Sequence, residues 1–257
     1  MLTKTLVFYF FIPEDYETNI AIKLHIECLK RYCHIFNKAI FYIACNKTEE
    51  KYIDEVKNFL FNLKDWEDIK IKVVGNDIFC EAHEFKNEII ERLDEFKEEV
   101  VFFAHTKGVI NIKTYPNNVK NILKWIYLCY FQSLEFEREA IKELVFGYRL
   151  FYGSLLMEDE KSNGAFYAGT FYWLNPSAIY NRTINGQRLP VMSTRDYAEM
   201  FPSYFLFNKG DGFLMSHFNR FLFNTDLYRR NFDDLIDFFG EAELYYKKYN
   251  DIMKNIR

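Results

Sequence analysis

His105, Thr106 and Lys107 stand in succession at the end of an apolar run, Val100-Val101-Phe102-Phe103-Ala104, which Glu98 and Glu99 precede. Five consecutive apolar residues are too few for a free helix and read as a buried strand. The strand therefore ends in an imidazole that titrates near neutrality, a hydroxyl and an ammonium. A lysine there is a compact point charge suited to phosphate. In open α/β sheets, ligands collect at the carboxyl ends of the strands. The plain alternative is a His and a Lys that do no more than finish a strand.

The elements that must hold this corner are legible upstream. Residues 6–12 form an apolar run stopped by Pro13, and Ile20, Leu24, Cys28 and Tyr32 then repeat at four-residue spacing, predicting a helix over 16–35. Lys38 to Cys45 reads as a second strand. Asn46, with Glu49 three residues on, has the form of an N-cap to a helix carrying Tyr52, Ile53, Val56, Phe59, Leu60 and Leu63. Ile69 to Val74 is a third strand ending at Gly75-Asn76-Asp77, and Phe85, Ile89, Leu93 and Phe96 outline a third helix. The first 108 residues thus read βαβαβαβ, with strands that are apolar runs, as in a parallel sheet covered on both faces. Neither GxGxxG nor GxxxxGK[ST] occurs, which disfavours a dinucleotide fingerprint and a P-loop. In a parallel sheet Phe11-Ile12-Pro13, Cys45-Asn46, Asn76-Asp77 and His105-Thr106-Lys107 share one rim. A nucleotide there would place its base near the early strands and its phosphates near the fourth.

From Pro116 to Phe146 the apolar spacing predicts one long amphipathic helix, with Trp125 as a core residue. After a break around Gly147 and Gly153, residues 163–173 are rich in glycine and aromatics; Gly169 allows a close backbone approach to a ligand. Tyr172 and Trp173 alternate across a strand, so one of them at most can face a ligand. Trp173 reads either as a floor under a sugar ring or as plain core. Asn175-Pro176 introduces a short helix, Arg195 to Phe205 reads as helical, Lys209-Gly210-Asp211-Gly212 is a loop, and two amphipathic helices close the chain. Their residues Phe218, Phe221, Phe238, Phe239, Tyr245 and Tyr246 suit a core cover, a dimer face or a membrane-peripheral face. His217 is a weaker candidate for contact with a phosphate or a metal.

The bulk composition narrows the classes. The 257 residues carry a formal net charge of −4, which argues against a broad nucleic-acid surface. Cys28, Cys33, Cys45, Cys80 and Cys129 are odd in number and form no CxxC, so buried, reduced thiols in a cytoplasmic protein are expected rather than a zinc site or a disulfide framework. The apolar stretch 6–12 is short for a signal peptide, and 125–131 is far below a membrane span.

A strand ending in His105-Thr106-Lys107, Trp125 in the next helix, Gly169-Thr170-x-x-Trp173, and Arg195 with Glu199 together resemble bacterial glycosyltransferase-like proteins of surface-polysaccharide synthesis, of which the rhamnan synthesis protein F family is the nearest named. The resemblance covers roughly residues 100–200. It departs at Gly108, where that family commonly has a second lysine, which leaves the donor sugar open. What it implies is a single GT-A-like (Rossmann-like) α/β domain, its mostly parallel sheet flanked by helices, with a helical C-terminal extension. Residues 1–115 would bind the nucleotide, 116–216 the acceptor, and 217–257 would be the C-terminal helices. It also implies transfer of a sugar from a UDP-, GDP- or dTDP-sugar to a glycan or lipid-linked acceptor in capsule or lipopolysaccharide synthesis, in the cytoplasm or at the cytoplasmic face of the membrane. Many GT-A enzymes hold a divalent metal with Asp-x-Asp at this strand end, and the chain has no Asp-x-Asp, so metal use stays open. On this reading Lys107, with His105 and Thr106, stabilises the leaving diphosphate. Glu199 accepts the acceptor's proton, Phe11, Pro13, Asn76 and Asp77 complete the donor site, and Gly169, Thr170, Trp173 and Arg195 meet the acceptor or sugar. Glu199 could equally be one half of an i, i+4 surface pair with Arg195. A non-catalytic carbohydrate-binding protein, or another nucleotide-dependent transferase, remains the alternative function.

Overall fold

The computed structural model of the chain describes residues 2–77, 79–147, 149–159, 164–167, 169–186, 189, 197–205, 214–215, 222–223, 233, 236–237 and 241–256. Four runs become parallel neighbours: β1 (Thr3–Ile12), β2 (Lys38–Cys45), β3 (Asp68–Val74) and β4 (Glu99–His105). With β5 (Phe151–Gly153), β8 (Tyr172–Leu174) and β9 (Leu214–Met215) they make a seven-stranded sheet ordered β3-β2-β1-β4-β8-β5-β9. β8 runs antiparallel to both β4 and β5, so the sheet is mixed but mostly parallel. A smaller sheet orders β10 (Leu222–Phe223), β6 (Leu156–Asp159) and β7 (Gly164–Tyr167).

Alternation along the strands divides the core in two. Leu6, Phe8, Phe10, Phe41, Phe102 and Trp173 share a core with α1 (Ile20–Tyr32) and with α5 (Val119–Tyr130), which the short α4 (Asn111–Thr114) precedes. Val7, Tyr9, Tyr42, Phe103 and Tyr172 face α3 (Cys80–Glu88), α7 (Pro176–Ile184) and α8 (Tyr197–Met200). The runs are apolar throughout because both faces of β1, β2 and β4 are covered. β3 departs from that expectation. It is the sheet edge, and its residues range from exposed to half-buried, with lysines at positions 70 and 72 that suit an unpaired edge.

Several boundaries differ from the sequence reading. The first helix starts at Ile20, where Asn19 accepts from the amides of Ala21 and Ile22, and it tightens to a 3₁₀ turn at Cys33–Ile35. Asn46 makes no side-chain cap; Lys47–Tyr52 is a 3₁₀ turn before α2 (Ile53–Phe61). The helix expected through Phe96 ends at Glu88. The single helix expected over 116–146 is α5, a π-helical turn at Phe131–Glu135, and then α6 (Glu137–Val145). Inside the π turn the Ser133 carbonyl accepts from Trp173 Nε1 at 2.8 Å, and Gln132 Oε1 accepts from the Leu155 amide at 2.8 Å. Apolar periodicity does not register such tertiary demands on the backbone. The helical stretch expected from Arg195 begins, among the described residues, at Tyr197 and passes into a 3₁₀ turn at Phe201–Phe205. Of the C-terminal helices, α9 (Ala242–Lys254) packs on α1 and α5, and buried Tyr245 donates to the Lys124 carbonyl at 2.7 Å. It is built into the core on that face rather than appended. Phe218, Phe221, Phe238 and Phe239 lie outside the described residues. Among the described residues no helix is long and apolar enough to cross a membrane.

Candidate functional site

β1 has β2 on one side and β4 on the other, so the strand order reverses between β1 and β4. In a sheet of this kind a crevice opens at the carboxyl ends of such a pair. Here it is a cleft of about 560 Å³, within the range of small-molecule sites. Its walls include Tyr9 and Phe11 from β1, Asn46 after β2, Asn76 and Asp77 after β3, His105 to Asn111 after β4, and Glu81, Thr170 and Glu199. Eight of the residues singled out from sequence meet there: Phe11, Asn76, Asp77, His105, Thr106, Lys107, Thr170 and Glu199.

The β4 terminus is held in three places. The Thr106 amide donates to the Tyr9 carbonyl at 3.0 Å, and the Thr106 hydroxyl oxygen accepts from the Phe11 amide at 2.9 Å, which carries the β1–β4 pairing one residue past the strand. At Lys107, buried His25 of α1 hydrogen-bonds the backbone carbonyl through Nε2 at 2.8 Å. A carbonyl only accepts, so Nε2 carries the proton and Nδ1 accepts from the Tyr130 hydroxyl at 2.8 Å. Burial lowers His25 to about 3, so the ring is neutral at physiological pH. At Val109 the carbonyl accepts from Asn19 Nδ2 at 3.0 Å. The start of α1 thus grips the loop that carries the cation. Gly108 lies between these grips with φ +81°, and a Cβ there would stand 3.0 Å from side-chain carbons of Ile122 and Ile126. The departure from the family-like motif at this position is therefore a backbone requirement.

The Lys107 ammonium stands 5.1 Å from the centre of the Trp125 ring and 4.0 Å from Glu199 Oε2. Glu199 Oε1 accepts from the Gly169 amide at 2.9 Å. Its carboxylate therefore lines the cleft; Arg195, the other half of the i, i+4 pair read from sequence, lies outside the described residues. Gly169 (φ +98°) and Thr170 (φ +58°) form a left-handed turn after β7. A Cβ on Gly169 would lie 3.4 Å from Cys129 Sγ and 3.7 Å from Lys107 Cγ, both ordinary contacts, so it is the positive φ rather than crowding that favours glycine here. Thr170 in this conformation is strained, as non-glycine residues at functional corners often are.

His105 is oriented by a residue that sequence reasoning missed. Glu81, in the first turn of α3, contacts His105 Nδ1 through Oε2 at 2.6 Å. Burial works to raise the Glu81 carboxyl, but His105, Lys107 and Thr170 outweigh it and hold the carboxyl below the ordinary range. Two carboxylates thus stand beside the imidazole and the ammonium. Among the described residues no group of three His, Cys, Asp or Glu side chains converges in the way a protein-only metal site needs. At the far end Asn76 Nδ2 donates to Asn46 Oδ1 at 2.6 Å, and Asp77 Oδ1 accepts from the Phe79 amide at 2.7 Å. From sequence, Asn46 is placed on the rim as well as read as a cap, whereas Glu81 and Asn19 are not singled out and His25 has no partner at useful spacing. Their roles come from α1 and α3 packing on opposite faces of the sheet.

Two expectations are corrected. Trp173 is fully buried; it stacks on Phe36 at 5.4 Å and donates to the Ser133 carbonyl, so it is core and cannot floor a sugar. Its neighbour Tyr172 is equally buried on the other face of the sheet. Pro13 is buried beside the end of β1 and does not line the cleft. Trp125 is buried as expected. Asp211 and His217 lie outside the described residues. No protein-family model matches the chain, and no curated protein matches it.

Proposed function

We propose that the cleft binds a nucleotide-sugar and that the protein transfers the sugar to a glycan or lipid-linked saccharide, as a GT-A-like glycosyltransferase. The observation that carries this reading is the Lys107 ammonium, set on a buried, clamped strand end at the sheet's switch point and facing an acid across 4.0 Å. In this arrangement the donor's base lies toward Asn46, Asn76 and Asp77 and its diphosphate lies against Lys107. Breaking the bond between the anomeric carbon and the diphosphate oxygen leaves negative charge on the diphosphate, which the ammonium offsets without reorganising. The acceptor oxygen bonds to the anomeric carbon and its proton passes to Glu199. Glu199 Oε1 stays on the Gly169 amide; Oε2 is the acceptor once the ammonium has turned to the diphosphate. Glu81 fixes the orientation of the His105 ring beside them. The Thr106 hydroxyl oxygen is already taken by Phe11, so only its proton is left for a phosphate.

The sequence resemblance supports surface-polysaccharide synthesis at the cytoplasmic side of the membrane as the setting. Donor hydrolysis, assayed with UDP-, GDP-, CDP- and dTDP-sugars in the presence and absence of EDTA, tests the reading. Slow release of one nucleoside diphosphate, unaffected by EDTA, is expected. Strict dependence on Mn²⁺ would reject the cation's role. Binding without any release would make the protein a carbohydrate- or nucleotide-binding scaffold, and phosphoryl transfer would make it a different transferase.

A further inference from the structure

A second hollow, of about 770 Å³, opens at the opposite end of the sheet. Lys4 at the start of β1, Arg31 and Tyr32 in the last turn of α1, His34 and Ile35 just after it, Leu134 to Glu139 across the π turn and the start of α6, and Lys248 of α9 line it. From Lys4 to Phe11 along β1 is roughly 23 Å at ~3.3 Å per residue, so the hollow is separate from the cleft. The π turn, which breaks the α5–α6 helix, borders it, and Glu135 of that turn meets the Tyr32 hydroxyl of α1. Turns of this type recur at functional sites.

The charges in the hollow are unevenly satisfied. Glu137 accepts from Lys4 Nζ at 2.8 Å, and Glu135 is ion-paired to Lys248 and accepts from the Tyr32 hydroxyl at 3.1 Å. Glu139 lies against buried Tyr152, whose phenol it helps push up after burial itself. The two guanidiniums differ. Among the described residues neither Arg31 nor Arg138 has a carboxylate within 4.0 Å. Arg31 stands 5.7 Å from the centre of the Tyr32 ring, and the acid that feels its charge, Asp251, is already paired with Lys254 at 2.8 Å. Burial and the Arg31 charge also push the Lys248 ammonium below its ordinary value, although Glu135 is in contact. Four cations face three carboxylates here, in a chain whose net charge is −4. The hydrogen-bonding capacity left over consists of guanidinium forks, which match the oxygens of phosphate in pairs.

We propose that this hollow is a second binding site, for a phosphate-bearing anion of diphosphate type, held between Arg31 and Arg138 with Lys248 behind. Half-buried Ile35 and Phe136 offer an apolar surface to whatever the anion is attached to.

Calorimetric titration with inorganic pyrophosphate tests the site, carried out on the Lys107→Ala protein so that the cleft's cation is absent. Saturable binding at one site is expected, weakened by about tenfold or more when Arg31→Gln and Arg138→Gln are added, and measurably by exposed Arg138→Gln alone. No saturable binding in Lys107→Ala, or binding that survives loss of both arginines, overturns the proposal. Nucleotide-sugar binding by the Arg31→Gln, Arg138→Gln protein with Lys107 intact should be unchanged. Failure of the second site is thereby distinguished from failure of the cleft.

Discussion

His25 carries a burden that its position in the chain does not reveal. Its neutral ring spans the Tyr130 hydroxyl and the Lys107 carbonyl, and burial lowers it to about 3 from an ordinary value near 6.5. The unfolded chain therefore takes up a proton below pH 6.5 that the native protein refuses until about pH 3. Between those limits stability falls as pH falls, by up to about 1.4 kcal/mol per pH unit. His25→Gln, which keeps a donor and does not titrate, should flatten that slope in urea melts between pH 7 and 5. Parallel slopes for the two proteins would show that the ring is not excluding a proton. Glu81 acts in a lower window. Its native carboxyl is depressed, so its contribution is full above pH ~4.5 and is lost as pH falls through the lower native value. Glu81→Gln should leave the slope between pH 6.5 and about 4.5, where His25 alone acts, untouched and reduce the acid sensitivity below it. Composition and spacing marked His105 and Lys107 because they end an apolar run. They did not mark His25 or Glu81, since each meets its partner across 82 and 24 residues of chain respectively.

At the scale of elements, the loop after β4 is where local and tertiary demands meet. Gly108 supplies a left-handed φ and lies flush against α5, so Gly108→Ala combines backbone strain with a contact of 3.0 Å. A loss of about 1–3 kcal/mol in chemical denaturation is expected. A loss below ~0.5 kcal/mol would mean that the loop relaxes freely and that the clamp from α1 is not tight. The parallel strands were legible because continuous apolar runs admit few other readings once each is followed by a helical stripe. The break in the helix after Tyr130 was not, since the π turn answers to Trp173 and Leu155, which come later in the chain. Trp173 was ambiguous for the same reason: alternation says that neighbours face opposite sides, and here both sides are core. Trp173→Ala should cost about 3–5 kcal/mol while leaving nucleotide affinity, measured well below the melting temperature, unchanged. Weakened affinity in a folded Trp173→Ala protein would reinstate it at the ligand.

For the whole molecule, the order β3-β2-β1-β4 fixes where a ligand can go, and the antiparallel β8 brings the Gly169-Thr170 turn and Glu199 to the same corner. That convergence joins residues 9, 81, 107 and 199 in one cleft. The sequence reading reached the rim through strand ends alone, and it reached Glu199 through resemblance rather than spacing. The most direct measurement is calorimetric titration of UDP-, GDP-, CDP- and dTDP-sugars into the native protein and into Lys107→Ala. One nucleotide-sugar should bind saturably to the native protein. Loss of the ammonium should cost about 1.5–3 kcal/mol, or roughly 10- to 150-fold in Kd, with little change in melting temperature. Equal affinity in both proteins, or no binding of any nucleotide-sugar to the native one, would contradict a diphosphate held at Lys107.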